Sequence, residues 1–282
     1  MSERIVPLVK RRQITELAES GKRTDGRSLT DARTVQIEIG VIDKAEGSAN
    51  VLLGNTRVVT GVKFEIGAPF SDMPNDGVLS VSAEFVPFAS PEFETGPPDE
   101  TAVELARVVD RGLRASKLLD TSKLCIVPGK KVWIAWVDMY ILDHCGNLID
   151  AAALSALSAL LSSKMPGAMI DGDKITKTAK SLPVPLRDMP INVTLAKIGD
   201  KLFVDPSLEE EEVMDCRLSL TFTKEKEKDD GTIEPSKICA TQKGLSGALT
   251  PEEVKRAVEI AKVKSQEWRN LVTSVVKTNG KN

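Results

Sequence analysis

Between Gly96 and Arg114 the polar and apolar positions follow the period of a helix. Leu105, Ala106, Val109 and Leu113 recur at the spacing of one buried face. Pro97-Pro98 stops what precedes, and Asp99 stands where an N-cap acceptor is wanted. Glu100 adds negative charge at the positive end of the helix dipole. The pattern predicts a helix over about residues 100–118. Arg107, Arg111 and Arg114 fall at i, i+4 and i+7, so they form one cationic stripe roughly opposite the apolar face.

Elsewhere the pattern switches period. Residues 8–20 predict a short amphipathic helix, with Leu8, Ile14 and Leu17 apolar and Lys10-Arg11-Arg12 a basic start that reads first as solvated and second as a nucleic-acid contact. Val35, Ile37 and Ile39 alternate as in a strand. Val51–Leu53 and Arg57–Phe64 flank Gly54-Asn55, a hairpin signal. Val78–Phe85 is a further strand. Lys131–Leu142 is nearly continuous apolar, Trp133 and Trp136 included, and predicts a well-buried strand. Asp150–Leu161, rich in Ala and Leu, predicts a deeply packed helix.

Pro166, Gly167, Gly172, Pro183, Pro185 and Pro190 break the chain after that helix, which predicts a linker or crossover over 166–190. Strands are expected at Ile191–Ile198, Lys201–Val204 and Val213–Thr223. A charged hairpin tip, Lys224–Gly231, and a return strand at Ile233–Thr241 should follow. Thr250-Pro251-Glu252-Glu253 is a capping box opening a last helix, with an apolar stripe from Val254 to Val275. The fold class expected is α+β with two mixed subdomains: an N-terminal lead-in at 1–30, a first subdomain at 31–165, the crossover, and a second subdomain at 191–278.

Composition narrows the function. The net charge of −3 over 282 residues gives no global signal for nucleic acid, so any RNA contact must come from a local patch. One tyrosine and seven phenylalanines are too few for a base-stacking platform, which leaves backbone-directed contact. The four cysteines lack C-x-x-C spacing, and with His144 the only histidine a zinc site is not expected. His144 next to Cys145 reads as a loop residue, since sequence neighbours rarely have catalytic geometry. Glu209–Glu212 with Asp205 and Asp215 could suggest a Mg²⁺ site, but a run of like charge reads first as a solvated loop. With no secretory or membrane-spanning apolar run, a cytoplasmic setting without membrane contact is expected.

Three guanidinium groups in line suit a polyanion, because each can fork onto phosphate oxygens. As a plain surface, Asp110–Arg114 and Glu104–Arg107 would instead pair along the helix for a few tenths of a kcal/mol each. Beyond spacing, GPPDE followed by ELARVVDRGLR resembles the RNase PH family, and within it the non-catalytic ring subunits of the archaeal exosome. Arg23-Thr24-Asp25-Gly26-Arg27 resembles the family's opening motif. Ala45–Ala49 with Leu53–Val58, Lys131-Val132-Trp133, Asp138 and Gly146–Ala151 continue the resemblance over about residues 20–275.

The resemblance implies an RNase PH-like fold and a phosphorolytic attack on the 3′ end of RNA. Active members hold phosphate in a glycine-rich turn bearing Ser or Thr and an Arg, at the start of the buried helix. The matching turn here is Cys145-Gly146-Asn147-Leu148, where Leu148 stands in place of the arginine and no hydroxyl is at hand. Active members also carry G-x-x-D after an acidic turn. Here the glycine is absent, and Arg217 falls near the aspartate position unless a short shift recovers Asp215. Acidic Asp99-Glu100 stands where active subunits use arginines on RNA.

The implied role is a non-catalytic exosome subunit with no catalytic residue, metal or cofactor of its own. Gly146, Asn147 and Leu148 would be a degenerate phosphate turn, and Arg107, Arg111 and Arg114 an RNA contact. Its partners would be a catalytic RNase PH-like subunit in a hexameric ring, RNA-binding cap subunits and single-stranded RNA. Phosphate, with Mg²⁺ as a further candidate, would be used by the partner subunit. Two alternatives remain: a self-sufficient phosphorolytic exoribonuclease, opposed by Leu148, and a small-molecule kinase on a related fold, opposed by the lack of a nucleotide-binding loop.

Overall fold

The computed structural model describes residues 8–171, 174–227 and 231–279. The chain opens with helix α1 (Leu8–Glu19) and then lays down β1 (Val35–Ile39), β2 (Gly47–Leu53), β3 (Thr56–Gly67) and β4 (Val78–Phe85). Helix α2 (Glu100–Ala115) leads to β5 (Cys125–Val127), β6 (Lys131–Asp143) and helix α3 (Leu148–Ser162). These strands make a six-stranded sheet in the order β1-β2-β3-β6-β4, with β5 beside the start of β6. All its pairings are antiparallel except β4 with β6, which α2 connects by a crossover. The Gly54-Asn55 turn is the two-residue hairpin loop expected, with Leu53 facing Thr56 and Gly54 at φ 59°.

One expectation for this sheet holds on one face only. β6 is well buried on a single side: Trp133 is 4% exposed, whereas Trp136 and Tyr140 on the alternate face are 36% and 40% exposed. In a mixed sheet with helices on one side only, even an apolar strand alternates between core and open face.

The segment at 166–190 departs further. It is not an irregular linker but largely a β-hairpin, β7 (Lys164–Asp171) with β8 (Lys174–Pro183). Gly172, at its tip, lies outside the described residues. The prolines are tolerated because a two-stranded ribbon has free edges, where a missing N–H breaks no ladder. Pro166 also sits at a register shift and Pro183 at a strand end. Lys177 Nζ donates to the Phe64 carbonyl and ties the ribbon to β3.

The second half contains β9 (Ile191–Ile198), β10 (Lys201–Val204), the short helix α4 (Leu208–Glu211) and β11 (Cys216–Phe222). It continues with β12 (Lys226–Glu227), β13 (Ile233–Glu234), β14 (Ile238–Gly244) and helix α5 (Pro251–Asn279). β10-β9-β11-β14 form an antiparallel sheet, and β12-β13 a small ribbon. The return strand therefore starts later than expected, and part of the charged tip, residues 228–230, lies outside the described residues. The capping box on α5 forms as read: Glu253 N–H donates to Thr250 Oγ1 at 3.2 Å, and Thr250 N–H to Glu253 Oε2 at 2.7 Å.

The two halves share one helical layer. α3 packs on β2 and β3 on one side and on β9 on the other; α2 bridges β4 and β14; α5 reaches β9, β11 and β1. A single apolar cluster runs through all of these, from Val51 and Phe64 through Leu154 and Leu157 to Leu220 and Val272. Burying each such leucine or valine stabilises the fold by about 1.5–3 kcal/mol. The alanines of α3 let the sheet come close: a Cβ on Gly47 would lie 2.6 Å from the Ala159 carbonyl oxygen. α1 seats on the second half of the chain. Its Ile14 and Ala18 pack with Ala196, Ile198, Phe203 and Val213 of the second half.

Candidate functional site

α2 forms as its sequence suggested. Asp99 caps it, accepting from the Ala102 N–H at 2.8 Å. Its buried face is Ala102, Leu105, Ala106, Val108, Val109, Gly112 and Leu113, wider than the four positions expected. Arg107, Arg111 and Arg114 are all exposed. Arg114 is tied down: its Nε donates to both Asp110 oxygens at 2.8 Å, and its guanidinium also reaches the Leu79 carbonyl. Arg107 does not pair with Glu104. Glu104 instead accepts from Arg217 at 2.8 Å and from Gln242 at 2.7 Å, fastening α2 to the second sheet.

The turn Gly146-Asn147-Leu148 sits at the N-terminus of α3, with Gly146 at φ 95° and Asn147 at φ 53°, ψ 50°. Asn147 makes no side-chain cap. Its Nδ2 points inward and donates to Asp150 at 2.8 Å and Asp205 at 2.7 Å. The Asn147 N–H donates to Glu211 Oε1 at 2.9 Å. Leu148 is buried, its side chain beside the helix start where a cation would be needed to meet a dianion.

A platform of arginines and carboxylates holds this turn from behind. The Asp205 carboxylate receives Arg33 through N–H and Nε at 2.8 and 2.9 Å, and Arg27 at 3.0 Å. Arg33 also donates to the Cys145 and Gly146 carbonyls at 2.8 and 3.1 Å. Burial alone would raise the Asp205 carboxyl, but Arg33 outweighs it and holds the group below its ordinary value. Asp150, wholly buried, is pushed up to about 6 by desolvation, against hydrogen bonds from Asn147, Thr194 and Asn192.

The glutamate run is not a solvated loop. Ser207 and Glu210 form a capping box on α4. Arg23, the first residue of R-x-D-G-R, forks onto Glu210; the two side chains are 0% and 1% exposed. Glu209 and Glu212 face Lys10 at 3.4 and 3.0 Å. Glu211 turns to the α3 turn, and burial pushes its carboxyl up to about 7 despite the Asn147 N–H and the nearby Arg217 and Arg33. The S-x-x-E spacing of Ser207 and Glu210 was the available sequence signal for this helix.

A cavity of about 140 Å³ lies in front of the turn, lined among others by His144, Leu148, Glu211, Met214 and Arg217. Arg217, not Asp215, therefore faces the turn. Asp215 lies elsewhere, paired with Arg11 and accepting from the Gly199 N–H at 2.8 Å. His144 is not aligned with Cys145 as a nucleophile pair; its ring stacks on Phe93 at 5.6 Å.

A helical layer shared by two sheets, with a glycine turn at the head of the innermost helix, defines the class of protein. The chain belongs to the 3′ exoribonuclease family: residues 31–166 match its domain 1 and residues 188–264 its domain 2. It is 48% identical over 281 residues to the exosome complex component Rrp42 of Thermococcus kodakarensis, covering 98% of this chain and 99% of that one. Among solved structures it resembles a chain of the Archaeoglobus fulgidus exosome with RNA bound to the active site, at 41% identity and TM-score 0.82, covering 93% of this chain and 97% of that chain. A chain of an archaeal exosome core is similar at 38% identity and TM-score 0.80, covering 97% of this chain and all of the other.

Proposed function

We propose that this chain is the non-catalytic RNase PH-like subunit of an exosome core ring. It alternates with a catalytic RNase PH-like paralogue in a hexamer that degrades RNA from its 3′ end by phosphorolysis. RNA-binding cap subunits sit on the ring, and phosphate, with Mg²⁺, is used at the partner's site. The observation that carries this reading is the α3 turn, where Leu148 and the Glu211 carboxylate stand where a phosphate site needs cations and open N–H groups. The Rrp42 relative and the two exosome structures support the ring assignment.

The chain's own contribution to RNA is the stripe on α2. Among the described residues Arg107 and Arg111 make no hydrogen bond or ion pair, so their guanidinium groups are available to phosphates. Arg114 must first leave Asp110. Arg107 and Arg111 are therefore expected to contribute more than Arg114. Trp136 and Tyr140 on the open face of β6 supply apolar surface suited to a neighbouring subunit.

The test mixes labelled RNA, phosphate and Mg²⁺ with the purified chain, with and without its paralogue. Nucleoside diphosphate should appear only with both. Arg111→Ala in an intact ring should weaken RNA binding and reduce the log–log salt slope by about 0.7. Robust product from the chain alone overturns the non-catalytic reading. Unchanged RNA binding in Arg107→Ala, Arg111→Ala and Arg114→Ala, singly and combined, overturns the role of the stripe.

A further inference from the structure

The N-terminus of a fifteen-residue helix carries unpaired N–H groups and partial positive charge. In α3 these are not met from the adjoining sequence. The N-cap residue is left-handed and makes no cap, and its side chain is committed inward to Asp150 and Asp205. An anion comes instead from 64 positions further on: Glu211 Oε1 accepts the Asn147 N–H at 2.9 Å.

The placement of Glu211 is built rather than incidental. α4 is pinned by the Ser207–Glu210 capping box and by the buried fork of Arg23 on Glu210. Its first N–H, on Leu208, donates to the Cys145 carbonyl at 3.2 Å. The backbone of 206–208 presses on the turn so closely that a Cβ on Gly146 would lie 2.4 Å from Leu208 N. Glu211 also lines the 140 Å³ cavity beside Leu148 and Arg217.

We infer that Glu211 is an internal anion that occupies the head of α3 and closes the turn to inorganic phosphate from within. This deepens the reading of Gly146-Asn147-Leu148 as a degenerate phosphate turn and rests on it. The loss is then double: the cation is missing at position 148, and a carboxyl fixed by α4 fills the same N–H groups and, once ionised above about pH 7, repels a second anion from them. Supplying the cation alone does not reopen the turn, because the new guanidinium would be neutralised by Glu211 across the cavity. Removing the negative charge alone leaves leucine facing the ligand. Both changes together give phosphate a helix N-terminus and the new arginine, in a cavity that Arg217 already lines.

At pH 8, where Glu211 is ionised, inorganic phosphate is titrated calorimetrically into the full chain and its variants Leu148→Arg, Glu211→Gln, Leu148→Arg/Glu211→Gln and Leu148→Arg/Glu211→Ala. Gln keeps the oxygen that accepts from Asn147, so α4 stays seated, and circular dichroism with urea unfolding verifies each fold. Saturable binding near one phosphate per chain is expected only in the double variants, at least tenfold tighter than in either single variant. Binding by Leu148→Arg alone, as tight as in the doubles, overturns the inference. So does the absence of binding in a folded Leu148→Arg/Glu211→Ala chain, where the Asn147 N–H is left without its acceptor. Ring assembly and RNA release are read separately, so a failed ring with a phosphate-binding double variant counts only against the proposed function.

Discussion

The buried pair of Arg23 and Glu210 is the joint on which the degenerate turn rests, and it allows a sharp stability test. Neither side chain is reached by solvent, at 0% and 1% exposure. Arg23 also donates to the Val204, Asp205 and Asp31 carbonyls at 2.7, 2.8 and 3.1 Å. Glu210→Ala leaves this guanidinium in place with no counter-charge, which costs about 3–5 kcal/mol. Loss of the capping-box contact from Ser207 N–H, at 2.8 Å, adds about 1 kcal/mol. At roughly 2–4 °C per kcal/mol for a chain of this size, the melting temperature should fall by about 10 °C or more. The matched control is Glu16→Ala, which breaks the helical pair with Arg12, whose side chains are 82% and 60% exposed. That change should cost less than about 0.5 kcal/mol. Urea titration of both variants, followed by circular dichroism, gives the two losses directly. If Glu210→Ala shifts the midpoint no more than Glu16→Ala, the claim that the buried fork holds α4 is wrong.

Asp99→Ala should destabilise the chain by about 1 kcal/mol in urea unfolding, with Asp99→Ser restoring most of it, because the Ala102 N–H loses its acceptor. Gly146→Ala should abolish soluble folded protein, checked by yield and circular dichroism, since φ is 95° and the new Cβ meets backbone at 2.4 Å. Glu211 titrates at about 7 when folded, against an ordinary 4.5, so between those values the folded chain holds a proton the unfolded one has lost. Its contribution to stability is therefore present below the ordinary value and is lost as pH rises toward 7. Urea midpoints measured across that window should show a shallower decline in Glu211→Gln than in the wild type.

The parts legible in sequence were those whose causes are local. Asp99 and the Thr250–Glu253 box act across three residues, so their patterns announce the helices they start. β9 and β10 match their expected ranges because a tight turn at Gly199, φ 62°, separates two alternating runs. The β7-β8 ribbon was hidden because proline and glycine mark breaks in a sheet interior yet are harmless on free edges. Trp136 was misplaced because periodicity cannot say which face of an apolar strand has a neighbour. At the site, Gly146, Asn147 and Leu148 stand at the head of α3 as the resemblance implied. Glu211 could not be read, since what distinguishes it from Glu209 and Glu212 is a contact with Asn147, far along the chain.

The seat of α1 bears on how the chain is made. Among the described residues, the fully buried apolar neighbours of Ile14 and Ala18 lie in β9, β10 and Val213, with Leu29 and Met214 at the edge, and Arg23 finds Glu210 across 187 positions. During synthesis at about 5–20 residues per second, the first helix waits roughly 10–40 s for its binding surface to emerge. Throughout that interval its apolar face and the Arg23 guanidinium stay in water, and loop closure over such a span is slow. Helix α1 and Arg23 are thus among the last parts to be buried. A nascent chain stalled before Ile191 should expose α1 to protease, while the β2-β3 hairpin, complete within its own neighbourhood, is already protected.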